Sequence, residues 1–124
     1  YMHYIVYTHY EHDLNIVLYY TFFATYVACR PNNNYLIKKL LRFEIPSSTD
    51  LGIPDKSQIF FPNYFVYIKS FMKTKKKLLD CYNYELKKAP HSRSFKNIIS
   101  LSNYRGGIVG IENAEAFIVN KILV

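Results

Sequence analysis

Residues 16–29 (Ile-Val-Leu-Tyr-Tyr-Thr-Phe-Phe-Ala-Thr-Tyr-Val-Ala-Cys) form the longest uncharged apolar run in the chain, and they constrain the fold more than any other stretch. Fourteen residues interrupted by threonines are too few to cross a bilayer, which takes about 20 apolar residues. The run therefore has to be covered inside a fold, and a buried helix suits it. Asp13 or Asn15 offers a side-chain oxygen to cap the first turn, and Arg30-Pro31 followed by three asparagines stops the last.

On either side of this helix the pattern alternates. Residues 4–7 (Tyr-Ile-Val-Tyr) are β-branched and aromatic and end in the polar cluster Thr8-His9-Tyr10-Glu11-His12-Asp13, as a buried strand delivering a loop would. Residues 36–45 read as a second strand, with Pro46-Ser47-Ser48-Thr49-Asp50 as the loop at its C-terminal end. A turn region follows through Gly52, Pro54 and Asp55, and Pro62 argues against a central strand over 60–65. Apolar residues at steps of three and four from Ile68 to Leu86 predict a long helix over 68–88, stopped by Pro90. Ser94 then caps a further helix that Gly106-Gly107 ends, and residues 114–124 read as a last strand covered on both faces. Strands alternating with helices place the chain in the α/β class, with 4–7, 36–45 and 114–124 in one sheet and the 124 residues in one domain. There is no internal repeat.

Composition excludes several classes. Half the residues are apolar and 18% aromatic, which rules out a disordered chain. A net charge of +7 favours acidic partners such as phosphorylated or uronic sugars, nucleic acid or anionic lipid heads. It is scattered, apart from Lys73, Lys75, Lys76 and Lys77, which suit a solvated helix face; with no nucleic-acid motif beside them, nucleic acid is not expected as a partner. Cys29 and Cys81 lack metal-type spacing and sit in helical apolar patterns, where a buried thiol in a reducing, cytoplasmic compartment is the simplest reading. No signal peptide and no membrane span are expected. The chain opens on Tyr1 and runs at once into a strand-like segment, as a chain cut inside a larger fold would.

The order of short motifs adds a more specific reading. Tyr7-Thr8-His9, Asp13-Leu14-Asn15-Ile16, Ala28-Cys29-Arg30-Pro31, Phe43-Glu44-Ile45-Pro46-Ser47-Ser48-Thr49, Phe61-Pro62-Asn63-Tyr64, Pro90-His91-Ser92-Arg93-Ser94 and Asn103-Tyr104-Arg105-Gly106-Gly107 follow one another across nearly the whole chain. In that order they resemble the C-terminal part of the PIG-L / LmbE-like zinc-dependent N-deacetylases, which remove acetyl from N-acetylglucosamine-type sugars. The resemblance implies a partial Rossmann-like layered sheet lacking the family's first βα unit. It also implies an N-acetylated sugar or glycoconjugate as partner, with a homo-oligomer left open.

In complete members three protein ligands and a water hold zinc, and a neighbouring Asp is the general base. The family's His-Pro-Asp-Asp motif, which supplies two ligands and the base, does not occur here. In the second motif Val17, Leu18 and Tyr19 stand where the family has Asp, His and Arg, so Leu18 replaces the third ligand. No catalytic residue, no metal ligand and no bound zinc are therefore expected in this chain. Whether it is an enzyme is left open; the alternative is a non-catalytic binding or assembly protein derived from that fold.

The residues expected to touch substrate are His91, Arg93, Ser47, Ser48 and His9. By resemblance His91 and Arg93 border the pocket, where a cationic fork can hold hydroxyls, phosphate or carboxylate; their other reading is that they brace the following helix. Ser47, Ser48 and Thr49 end a strand, where open α/β sheets bind ligands, or form an ordinary hydroxyl-rich turn. His9, Glu11, His12 and Asp13 read as a rim or solvated loop, as a rebuilt metal site, or, for Asp13, as a cap. Arg105 is expected to pair, with Glu115 as one partner.

Overall fold

A computed structural model describes residues 3–31 and 36–124. The three asparagines expected to follow the first helix lie outside the described residues. The elements are β1 (His3–His9), α1 (Ile16–Ala28), β2 (Leu36–Phe43), β3 (Tyr64–Tyr67), α2 (Met72–Cys81), α3 (Phe95–Ile108) and β4 (Ala114–Ile122), with single 3-10 turns at Thr49–Leu51, Lys56–Gln58 and Lys69–Phe71. The strands form one four-stranded sheet in the order β1-β2-β4-β3. β1 and β2 are parallel and β2 and β4 antiparallel. The α/β class and the placing of all three expected strands in one sheet hold, and β3, after Pro62, lies at an edge. Among the described residues no helix is long and apolar enough to cross a membrane.

Two compact units make up the chain, Tyr1–Tyr64 with Phe117–Val124, and Phe65–Ala116. The first is built on β2. Leu40 and Leu41 are successive residues of that strand, so their side chains leave opposite faces, and both are buried. Each contributes about 1.5–3 kcal/mol by leaving water. Parallel neighbours need a crossover, and α1 supplies it. Asn15, not Asp13, caps α1, its Oδ1 accepting from the Val17 N–H at 2.9 Å. Leu18, Phe22, Thr25 and Cys29, at steps of four, three and four, are the half-buried to buried stripe of this helix. Only Phe22 is fully buried. The expectation of a buried helix is therefore corrected: the apolar run is covered along one stripe and exposed along the other.

In the second unit the helix expected over 68–88 is shorter. Ile68 is buried ahead of it and donates its N–H to the Asn113 carbonyl at 3.0 Å. α2 starts only at Met72 and stops at Cys81. Beyond it, tertiary bonds outcompete helix extension: Lys87 N–H donates to the Arg93 carbonyl at 3.2 Å, and the Arg93 guanidinium pairs with Glu85 at 2.8 Å. Lysines spaced three and four apart also repel along α2. Ser94 caps α3 as expected, accepting from the Asn97 N–H at 3.2 Å.

Gly106 and Gly107 lie inside α3, and the chain turns only at Gly110, whose φ is +78°. Gly106 is there for close approach, since a Cβ would stand 2.5 Å from the Ile111 carbonyl oxygen. Two further expectations change. Cys29 is half-buried and Cys81 exposed, because α2 buries no residue. Glu115 pairs with Lys75 at 2.9 Å, and Arg105 lies over the Tyr104 ring. β4 ends at Ile122 and is buried only at Ala114, Ala116 and Phe117.

Candidate functional site

His9 and Phe43 are register partners at the last positions of β1 and β2, so both strands release their loops at the same end. Their rings lie 4.9 Å apart. In the first loop Tyr10 is buried, edge-on to the rings of His12 and Phe60. Glu11 forms an ion pair with Arg42, whose guanidinium lies 5.8 Å from the Tyr10 ring centre and 6.0 Å from that of Phe22.

Asp13 and the serine-threonine turn join the two loops. The Thr49 hydroxyl donates to Asp13 Oδ1 and accepts from the Ile45 N–H at 2.8 Å. Ser48 accepts twice, its carbonyl from the Leu14 N–H and its Oγ from the Asn15 N–H, both at 3.3 Å. The turn is tight enough that Ser47 adopts φ +66°, a left-handed conformation that costs a non-glycine residue about 1–2 kcal/mol. Gly52 closes it: a Cβ there would meet the His12 carbonyl oxygen at 3.1 Å.

What remains is a set of committed but incompletely satisfied polar groups. Thr8 Oγ1, His9 Nδ1, Glu11 Oε2, Asp13 Oδ2 and Arg42 Nε are all buried without a protein hydrogen-bond partner. Leaving a buried polar atom unpaired costs about 1–3 kcal/mol, and these five, of six such atoms among the described residues, cluster where β1 and β2 end. Burial pushes the Asp13 carboxyl up from the ordinary aspartate value; the Thr49 hydroxyl and the charge of His9 pull it part of the way back, and Glu11 pushes it further up. Burial, then Glu11, also raises the Tyr10 phenol.

Of the five residues expected to touch substrate, His9, Ser47 and Ser48 belong to this cluster. Ser48 and Thr49 act as its staples. His91 and Arg93 lie in the second unit, at the start of α3. His91 Nδ1 accepts from the Arg93 N–H at 3.0 Å, and the Asn97 amide donates to the Pro90 and His91 carbonyls at 2.8 and 3.0 Å. These are the contacts of a brace, with Arg93 Nε buried and unpartnered within it.

Two contributors were not singled out from the sequence as binding residues, Thr8 and Arg42, and the pairing of Glu11 with Arg42 was not foreseen. The available signal for Arg42 was a cation next to the last residue of a strand, and Lys38 and Lys39 earlier in the same strand make that signal weak.

Leu18, which the sequence resemblance sets in place of a metal ligand, lies half-buried on the covered stripe of α1. Among the described residues no three of His, Cys, Asp and Glu are grouped to hold a metal ion. Compared with protein-family models, curated proteins and solved structures, the chain matches none.

Proposed function

We propose that the chain is a sugar-binding portion of a PIG-L / LmbE-like fold, with a partial Rossmann-like sheet that holds an N-acetylglucosamine-type ligand at the carboxyl ends of β1 and β2 and performs no zinc-dependent hydrolysis by itself. One observation carries this reading: five buried polar atoms without protein partners sit at the end of two parallel strands, where open α/β sheets bind ligands. The complement of Asp13 Oδ2, Glu11 Oε2, Arg42 Nε and the Thr8 hydroxyl is a molecule with several hydroxyl donors and a carbonyl acceptor. An N-acetylated sugar has both. The motifs from Asp13-Leu14-Asn15-Ile16 to Pro90-His91-Ser92-Arg93-Ser94 support the same family.

The test is an NMR titration of the 124-residue chain with N-acetylglucosamine and, separately, glucose. The expected outcome is perturbation of His9, Glu11, Asp13 and Arg42 resonances that is stronger with the acetamido sugar and weakened in Glu11→Gln. Perturbation elsewhere only, or none at tens of millimolar sugar, overturns the site. Amine release from an N-acetylglucosamine conjugate is expected neither from the chain nor from its Val17→Asp, Leu18→His variant, because one restored ligand falls short of the three that hydrolytic zinc requires. Release by either overturns the non-catalytic part of the reading.

A further inference from the structure

α1 carries two apolar stripes where a helix on a folded surface carries one. Leu18, Phe22, Thr25 and Cys29 form the covered stripe. About 200° around the helix, Ile16, Tyr20, Phe23 and Val27 repeat the same steps of four, three and four and are 65%, 62%, 43% and 52% exposed. Val17 and Tyr26 flank them, also exposed, and α1 has no charged residue on any face. A helix apolar all round is ordinarily buried all round.

We propose that this outward stripe is the interface of an isologous homodimer, in which α1 packs against α1 of a second copy of the chain. The proposal is independent of the sugar-binding reading. Three features select a second copy as the occupant. First, the spacing is that of a helix-helix seam, in which side chains at steps of three and four interdigitate with the same pattern on a partner, and a two-fold axis brings identical stripes together. Second, the area is sufficient. Ile16, Val17, Tyr20, Phe23, Tyr26 and Val27 together expose roughly 700 Å², so two copies would bury about 1,400 Å², within the range of stable interfaces. Third, the charge fits. No charged side chain lies within α1 to be desolvated or to meet its like across the two-fold axis, and Arg30, which donates to the Val27 carbonyl, lies beyond the helix end.

The same absence of cations counts against a lipid surface, since helices that lie in a membrane interface carry lysine and arginine on their polar face.

Sedimentation velocity of the full chain across a micromolar concentration series tests the proposal. A reversible dimer is expected. Tyr20→Glu and Phe23→Glu, at exposed positions, should each weaken it by about 30-fold or more, as loss of an aromatic anchor at the centre of an interface does. Leu78→Glu, equally exposed but on α2, should leave it unchanged. Should a glutamate variant fail to fold, amide exchange of the unmodified chain still decides: protection over Ile16–Ala28 should rise with protein concentration.

A chain that is monomeric at hundreds of micromolar, or a dimer indifferent to both glutamates, overturns the proposal. So does a monomer that co-sediments with phosphatidylcholine vesicles and releases them on Tyr20→Glu, which would make α1 a lipid contact.

Discussion

Replacing Thr49 by valine keeps the shape of the side chain and deletes the hydroxyl that joins the two loops of the site. That hydroxyl makes two bonds: it accepts from the Ile45 N–H at 2.8 Å and donates to the buried carboxylate of Asp13. Losing the first leaves a part-buried N–H without its side-chain acceptor, at about 1 kcal/mol, and losing the second removes a bond to a charged group, at about 1.5–3 kcal/mol. The expected destabilisation at neutral pH is about 3 kcal/mol. For a domain of this size that is a fall in Tm of roughly 10–15 °C.

The effect depends on pH with a definite sign. The Thr49 hydroxyl lowers the Asp13 pKa, so its bond stabilises the fold above the ordinary aspartate range and is lost as pH falls and Asp13 is protonated. In acid the cost of Thr49→Val should shrink to about 1 kcal/mol, the value of the neutral bond. Urea unfolding at neutral pH and at about pH 3, below the usual aspartate pKa, measures both costs, and a carboxyl NMR titration should show Asp13 moving further up in the variant. An equal cost at both pH values, or an Asp13 titration that does not move, refutes the reasoning, because the bond to the carboxylate would then carry no energy.

Other outcomes follow from the same structure. Asp13 is raised above the ordinary aspartate value chiefly by burial, so its contribution is full in acid and is lost as pH rises through its folded pKa; Asp13→Asn should therefore gain on the unmodified chain as pH rises toward neutrality, and urea midpoints that stay parallel across the series would contradict this. Gly106→Ala should destabilise by about 2 kcal/mol or more, since the new methyl meets the backbone of residues 111–113, whereas Gly107→Ala, with open space around it, should stabilise by about 0.5–1 kcal/mol; thermal unfolding of the two variants side by side checks the contrast. Arg42→Met should cost about 3 kcal/mol by leaving Glu11 without its partner, and most of that should return in Arg42→Met with Glu11→Leu. A double-mutant cycle showing no coupling would sink that account.

The sequence by itself determined the class of fold and most of its elements. The β-branched and aromatic run of β1 and the mostly apolar run of β4 specify strands because strand formation is read over a few neighbouring residues. Asn15 and Ser94 mark the starts of α1 and α3 because capping is equally local. The alternation of elements put three strands in one sheet.

Tertiary structure alone decided what depends on residues far apart in the chain. Periodicity carried α2 on to residue 88, but the helix ends at Cys81, and Glu85 and Lys87 bond instead to Arg93 across a bend that periodicity does not register. Apolarity implied that α1 is buried, yet burial requires a partner on each face, and among the described residues only one stripe of it is covered. Gly106 spaces two backbones rather than ending a helix, a role set by residues 111–113.

The meeting of the loops that carry His9, Ser47 and Ser48 was legible because loops at the strand ends of α/β sheets converge. Arg42 was not legible as a site residue: its pairing with Glu11 comes from the parallel register of β1 and β2, which spans more than thirty residues and leaves no local trace.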